Sequence, residues 1–338
     1  MENEELCKSI ATVISNYRDG EFGIYDEEHV QRWAEQFDID ERSVVLKETN
    51  RIIKRTFISR QSFDRFVDAI ISSSSVCGDN KDHYWNNVSV LNIQKKGNSQ
   101  SELNDIFCSK LSMQYSIDGI INRSSNEYLY IDDFIFSGNR IFNDLSSWLR
   151  DFAPNNCRVC IITIGWYLYG QYSLNNRLKK LIEDLGLNIK ISFRSFESHR
   201  LENRRYRRDF SEVFWPTSCV EELPEVIEYL TKNSYKPEYR NSNGIKNEIF
   251  SRPHREEYER IILKYGLKIL SFSNQNNPVV KPLGYHKFNE FGFGSTVFSF
   301  RNCPNNNPLV FWWGDPRAPI WHPFRKWYPL MQRDTYGD

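Results

Sequence analysis

The stretch from Tyr128 to Ile141 carries the strongest chemical signal in the chain. Tyr128, Leu129, Tyr130 and Ile131 have the composition of a buried strand and lead into adjacent carboxylates, Asp132 and Asp133. Phe134, Ile135 and Phe136 follow, then the small-residue turn Ser137, Gly138 and Asn139, and a helical stripe opens at Arg140 and Ile141. A strand that feeds a tight turn and a helix offers free backbone N–H groups and the positive end of the helix dipole, which suits a phosphate. Two carboxylates just before that turn can accept hydrogen bonds from the vicinal hydroxyls of a ribose. The order strand, acid pair, Ser-Gly turn and helix therefore reads as a sugar-phosphate site. The bland account is a strand end with two solvated acids and an ordinary helix cap.

Such a site needs a sheet to hold it, and the pattern around it supplies one. Val88 to Ile93 is a short apolar strand, followed by the turn Gly97, Asn98 and Ser99. Leu103, Ile106, Phe107 and Leu111 form a helical stripe, and Ser99 with Glu102 fits a capping box at its start. Ile117 to Ile121 is a weak strand and Tyr128 to Asp132 a strong one that ends at the acid pair. The helix Ile141, Leu145, Trp148 and Leu149, the strand Arg158 to Ile164, the helix Leu174 to Leu185 capped by Ser173 and stopped by Gly186, and the strand Leu187 to Phe193 follow. Strands joined by helices of this length predict an α/β fold with a parallel sheet flanked by helices. Ligands in such sheets bind at the carboxyl ends of the strands.

The flanks differ from this core. The first ~75 residues read as helices, with Trp33 and Phe37 at i, i+4 and Phe63, Phe66, Val67 and Ile70 on one face, and Ser72 to Ser75 as a polar linker. After about residue 200 the pattern gives helices at Pro224 to Lys232 and Glu256 to Tyr265, then an aromatic, Pro- and Asn-rich segment, Tyr285 to Leu330. The expected division is a helical segment over 1–78, an α/β core over 79–200, and an extension over 201–338 packed on the core.

Composition removes several function classes. Across 338 residues, Lys plus Arg (44) equals Asp plus Glu (44), so no global charge draws the chain to nucleic acid. No apolar run approaches the ~20 residues of a membrane span, and the acidic start is not a signal peptide. Cysteines at 7, 77, 108, 157, 160, 219 and 303 are odd in number and scattered, which favours a reducing, cytoplasmic setting. Cys157 and Cys160 lack a second ligand pair and read as strand residues. His29, His83, His199, His254, His286 and His322 show no metal-ligand spacing. Trp312, Trp313, Trp321 and Trp327 read as core.

One basic patch stands out: Arg194, Arg200, Arg204, Arg205, Arg207 and Arg208, with Phe196 and Tyr206 between them. It could meet nucleic acid phosphates or a partner's acidic face. The alternative is a solvated helix face balanced by Glu197, Glu202 and Asp209.

The run from Tyr128 to Arg140 resembles the phosphoribosyl pyrophosphate signature of type I phosphoribosyltransferases: four apolar residues, two acids, then a Thr-Gly-x-Thr-like loop. Arg140 departs from it, standing where that signature has a small hydroxyl residue. The whole chain resembles the phosphoribosyltransferase-like family with a conserved C-terminal extension, PRTase-CE. The matching residues are Trp33 to Phe37, Gly97 to Gln100, Gly292 to Ser295, Arg301 to Asn306, Trp312, Trp313, and Trp327 to Leu330.

The resemblance implies a component of prokaryotic anti-phage systems, acting as an effector or a nucleotide sensor beside other defence proteins. It implies that Asp132 and Asp133 hold ribose hydroxyls and steady charge at the anomeric carbon. Ser137, Gly138, Asn139 and Arg140 would hold the 5′-phosphate. Lys95, Lys96, Gly97, Asn98 and Ser99 would hold pyrophosphate, and Mg²⁺ would bridge pyrophosphate and ribose, with Asp132 and Asp133 acting on it indirectly. Type I enzymes usually close a long flap over the substrate, whereas here only Asn122 to Glu127 separates Ile121 from Tyr128.

Overall fold

The structure, a computed structural model, describes residues 2–95, 98–241, 247–273, 278–285 and 288–333. In chain order the elements are α1 (Glu2–Ile14), α2 (Glu27–Ala34), α3 (Arg42–Thr56), β1 (Phe57–Ile58), α4 (Arg60–Ser72), α5 (Ser74–Cys77) and α6 (Lys81–Asn87). Then come β2 (Ser89–Val90), α7 (Ser99–Tyr115), β3 (Glu127–Ile135), α8 (Asn139–Asp151), β4 (Asn156–Tyr167), α9 (Leu168–Asp184), β5 (Asn188–Arg194) and β6 (Arg200–Leu201). The last are α10 (Pro224–Asn233), α11 (Arg255–Ser271), β7 (Phe298–Ser299) and α12 (Leu309–Trp312).

These elements form two compact units. One combines the residues up to Arg60 with those from Glu202 on, and the other is Gln61–Leu201. The chain passes from the α/β unit to the other after Leu201. At the other end, residues 61–78 group with the α/β unit rather than with the N-terminal helices. Their apolar face explains this: Phe63, Phe66, Val67, Ile70 and Ile71 are buried, and Phe66 meets Phe196 of the same unit at 5.9 Å.

The α/β unit is built on a parallel sheet in the order β2-β3-β4-β5, with β6 also pairing β4. Parallel neighbours need long crossovers, and α7, α8 and α9 supply them. β3 and β4 are near-continuous apolar runs, as expected of strands covered on both faces. Tyr128 and Tyr130 pack in one cluster with Leu145, Trp148 and Leu174 of α8 and α9. β4 pairs first with β5 and then, at Trp166 and Tyr167, with β6. Gly165 lies between those pairings, and an added Cβ there would lie 2.3 Å from the His199 carbonyl oxygen.

Several local expectations change. β3 does not end at the acid pair; Asp132 pairs with Thr163 and the strand continues to Ile135, because neighbouring β4 extends equally far. Val88 to Ile93 contracts to Ser89–Val90, and Ile117 to Ile121 is no strand but a single bridge from Ile121 to Val90. α9 starts at Leu168, directly off β4, so Ser173 lies inside the helix and caps nothing. α7 starts at Ser99 with no side-chain cap, so the capping box is not formed. The Arg-rich stretch is not one helix: it spans the end of β5, β6 and short 3₁₀ turns.

The extension is irregular, as expected, but shares its unit with the N-terminal helices. β1 and β7 pair in parallel. Trp33 on α2 donates its indole N–H to the Val310 carbonyl at 2.9 Å and stacks on Phe311. Tyr17 donates to the Gln332 carbonyl at 2.9 Å. Inside this unit the fully buried Glu259 meets Arg240 at 2.5 Å and Arg255 at 3.0 Å. Trp312, Trp313 and Trp327 are buried, whereas Trp321 is exposed.

One glycine sets the approach of α9 to the turn after β3. A Cβ at Gly170 would lie 1.7 Å from the Phe136 carbonyl oxygen. Gly170→Ala is expected to cost at least ~3 kcal/mol and lower the melting temperature by roughly 6 °C or more. Gly186→Ala, where nothing lies within 4 Å, should cost only about 1 kcal/mol of left-handed backbone strain. Thermal melts of both variants check the contrast.

Candidate functional site

The site lies at the carboxyl edge of β2 and β3. β3 delivers Asp132 and Asp133, and because successive strand residues point to opposite faces, the two carboxylates diverge. Asp132 is buried, while Asp133 is half-buried. After Phe136 the chain turns through Ser137 and Gly138, whose φ of +74° is a conformation glycine adopts without strain. A Cβ there would meet Leu174 of α9 at 2.8 Å. α8 then begins at Asn139 with no side-chain cap and no acidic residue in its first turn. With no acid within that turn, Ser137 Oγ accepts the Asn139 N–H there at 3.4 Å.

Arg140, in that first turn, does not point at its own helix terminus. Its Nη2 donates to both carboxylate oxygens of Asp132, at 2.5 Å to Oδ1 and 2.6 Å to Oδ2. Asp132 Oδ1 also accepts the Asp133 N–H at 2.9 Å. The Asp132 side chain is 2% exposed and that of Arg140 46%. Asp132 in turn holds the guanidinium even more firmly protonated than usual. A second nitrogen, Nη1, donates to Ser99 Oγ at 3.3 Å, tying α8 to the start of α7.

Beside this pair, Tyr130 donates to Asp144 Oδ2 at 3.0 Å, and the Lys95 backbone N–H donates to Asp144 Oδ1 at 3.3 Å. Burial pushes the Asp144 carboxyl up from its ordinary value. Burial, then the negative charges of Asp132 and Asp144, push the Tyr130 phenol well above its ordinary range. The upstream loop is held by Gln100, whose Oε1 accepts the backbone N–H groups of Ile93 and Gln94, both at 3.0 Å. Gln94 returns the contact by accepting the Gln100 N–H at 2.7 Å.

Ser99 and Arg140, assigned to different ligand groups by sequence, are thus brought into contact. Lys95 joins through its backbone, and Asn98 is exposed beside Ser99. Lys96 and Gly97 lie outside the described residues, as does His286. Asn139 accepts from Arg177 on α9 at 2.7 Å, and Arg177 also lies 3.8 Å from the Phe142 ring centroid.

Tyr130, Gln100, Asp144 and Arg177 were given no role from the sequence. Asp144 had a usable signal, since it sits four residues after Arg140 on one helix face. Arg177 had one only in retrospect, being one turn after Leu174, which packs on Gly138.

The arginines of the 194–208 segment are largely engaged. In the α/β unit, Arg200 donates to Ser195 Oγ at 3.1 Å and lies 4.9 Å from the Trp166 ring centroid. In the other unit, Arg204 pairs with Glu202 at 2.6 Å, Arg205 with Glu238 at 3.2 Å, and Arg207 lies 3.9 Å from Glu202. Arg194 is exposed and Arg208 half-buried. Among the described residues no group of three or more His, Cys, Asp or Glu could hold a metal ion. No described helix is long and apolar enough to cross a membrane.

The family model described as PRTase-CE matches residues 30–333. No curated protein and no solved structure matches the chain.

Asp144 gives this site a pH signature. With its folded pKa raised above the ordinary 3.8, its contribution to stability is full below that value and is lost as pH rises through the raised one. Asp144→Asn cannot titrate and keeps partners for both neighbours. Its melting temperature, relative to the unaltered protein, should therefore rise as the pH climbs from the ordinary carboxylate value toward neutrality. A flat difference across that range would remove Asp144 as the titrating group.

Proposed function

The chain belongs to the PRTase-CE family, and from that premise we propose that its α/β unit binds phosphoribosyl pyrophosphate or a nucleotide at the carboxyl edge of β2 and β3. The observation that carries this is the passage from β3 through Asp132 and Asp133 into the Ser137-Gly138 turn and the start of α8, whose N-cap position is a glycine. The 5′-phosphate is held by backbone N–H groups of Gly138, Asn139 and Arg140 and by Ser137. Asp133 accepts from a ribose hydroxyl. Lys95, Lys96 and the Gly97 to Ser99 loop hold pyrophosphate.

The chemistry such a site performs is cleavage or transfer at the anomeric carbon. Charge that develops there is met by the carboxylate of Asp133, with Asp132 fixed behind it. Mg²⁺ was expected as a bridge between pyrophosphate and ribose. The donor set does not fit an ion held between the two acids: both oxygens of Asp132 are taken by Arg140, and the two carboxylates diverge. No step is assigned to a metal.

A second reading is binding without turnover, in a sensor or adaptor. The engagement of Asp132 by Arg140 and the short connection from Asn122 to Glu127 favour it. In either reading the defence setting and the partner proteins rest on the family resemblance. The engaged arginines at 200, 204, 205 and 207 lend little support to a nucleic-acid surface.

Calorimetric titration of the full chain with phosphoribosyl pyrophosphate tests the proposal. Saturable binding is expected, and Asp133→Asn should weaken it by about tenfold, the worth of one charge-assisted hydrogen bond. Equal affinity in that variant would refute the assignment. Pyrophosphate released during incubation marks a transferase or hydrolase, and intact recovered ligand marks the sensor.

A further inference from the structure

We propose that Arg140 is a built-in counter-cation that replaces a divalent ion at the acid pair, so that the site takes its phosphorylated ligand independently of Mg²⁺. This rests on the ligand reading above and adds to it which cation the site uses.

The geometry of the pair is the reason. A single nitrogen, Nη2, lies astride the Asp132 carboxylate at 2.5 and 2.6 Å from its two oxygens. That is the position on a carboxylate that a bidentately held cation would take. Asp132 is 2% exposed, so its charge needs a partner in the folded protein, and the chain carries that partner eight residues further on. The guanidinium is fixed at its other edge by Ser99, and the mutual attraction of the pair keeps it charged. Its side chain is 46% exposed, so part of it still faces the solvent from which an anionic ligand arrives. A permanently charged, delocalised cation suits oxyanions as well as carboxylates. Asp133 and Asp144 add negative charge near the pair, and the arginine offsets part of it.

The residue type matters as much as its place. A small hydroxyl residue at position 140, as in the related signature, would leave Asp132 unpaired. A soluble cation would then be needed to screen the carboxylates from the ligand's phosphates. Arg140 removes that need.

The test compares the unaltered full chain with Arg140→Ser and Arg140→Lys. Phosphoribosyl pyrophosphate is titrated into each with Mg²⁺ and with a chelator. The unaltered protein should change affinity by less than about threefold between the two conditions, and Arg140→Ser should lose about tenfold or more on chelation. Arg140→Lys keeps the charge but not the second contact to Ser99; whatever its absolute affinity, it should still change by less than about threefold on chelation, and a tenfold loss in it would count against a role for the charge. A ligand-free readout runs beside it: Mg²⁺ should raise the melting temperature of Arg140→Ser by about 3 °C or more and leave the unaltered protein within about 1 °C. Tenfold loss on chelation in the unaltered protein overturns the inference, as does an Arg140→Ser variant whose affinity and melting temperature ignore Mg²⁺. If no protein binds the ligand under any condition, the ligand reading has failed, and the melting temperatures still decide the role of Arg140.

Discussion

A buried carboxylate needs a counter-charge, and in the α/β unit that requirement falls on Asp132. Sinking one charge without a partner would cost several kcal/mol. The partner is Arg140, and reaching it constrains everything between the two residues. β3 must run on to Ile135, the chain must reverse at Ser137 and Gly138, and α8 must begin with its first turn facing back over the strand end. Ser99 completes the constraint by holding the far side of the guanidinium, which fixes where α7 begins. The acid pair, the turn and both helix starts are one interlocked arrangement.

Close backbone approach makes that arrangement compact. Gly138 leaves room for Leu174, Gly170 lets α9 touch the Phe136 carbonyl, and Gly165 lets the chain cross β4 at His199. Each of the three sits where two segments come nearer than a side chain would permit. They lie at or just beyond the carboxyl ends of β3 and β4, the edge at which ligands of parallel sheets are read. Beside the pair, Tyr130 donates to Asp144 and the Lys95 N–H also reaches it, so these polar groups satisfy one another.

Much of this was legible in the sequence, for local reasons. The strand composition of Tyr128 to Ile131, the Ser-Gly turn and the stripe from Ile141 to Leu149 each declare themselves within a few residues. The Arg140 to Asp132 pair did not, since a spacing of eight across a strand, turn and helix follows no periodicity. The true starts of α7 and α9 were missed for a related reason. Ser99 and Ser173 are good caps in isolation, but the direct step from Tyr167 into α9 is imposed by the end of β4. The partnership of the extension with the N-terminal helices was the least readable. Trp33 and Val310 lie 277 positions apart, and nothing in the neighbourhood of either announces the other.

That partnership also orders events during synthesis. The unit holding Trp33 is split in the chain, with all of Gln61–Leu201 emerging between its two parts. β1 has no partner until β7 appears, and Tyr17 waits for Gln332. The inserted α/β unit can close while the N-terminal helices still expose the apolar faces of Val30, Trp33, Ile52 and Ile53. A ribosome stalled well after Leu201 leaves a chain with a finished α/β unit and an unfinished remainder, a species that a chaperone would recognise and a protease would clear.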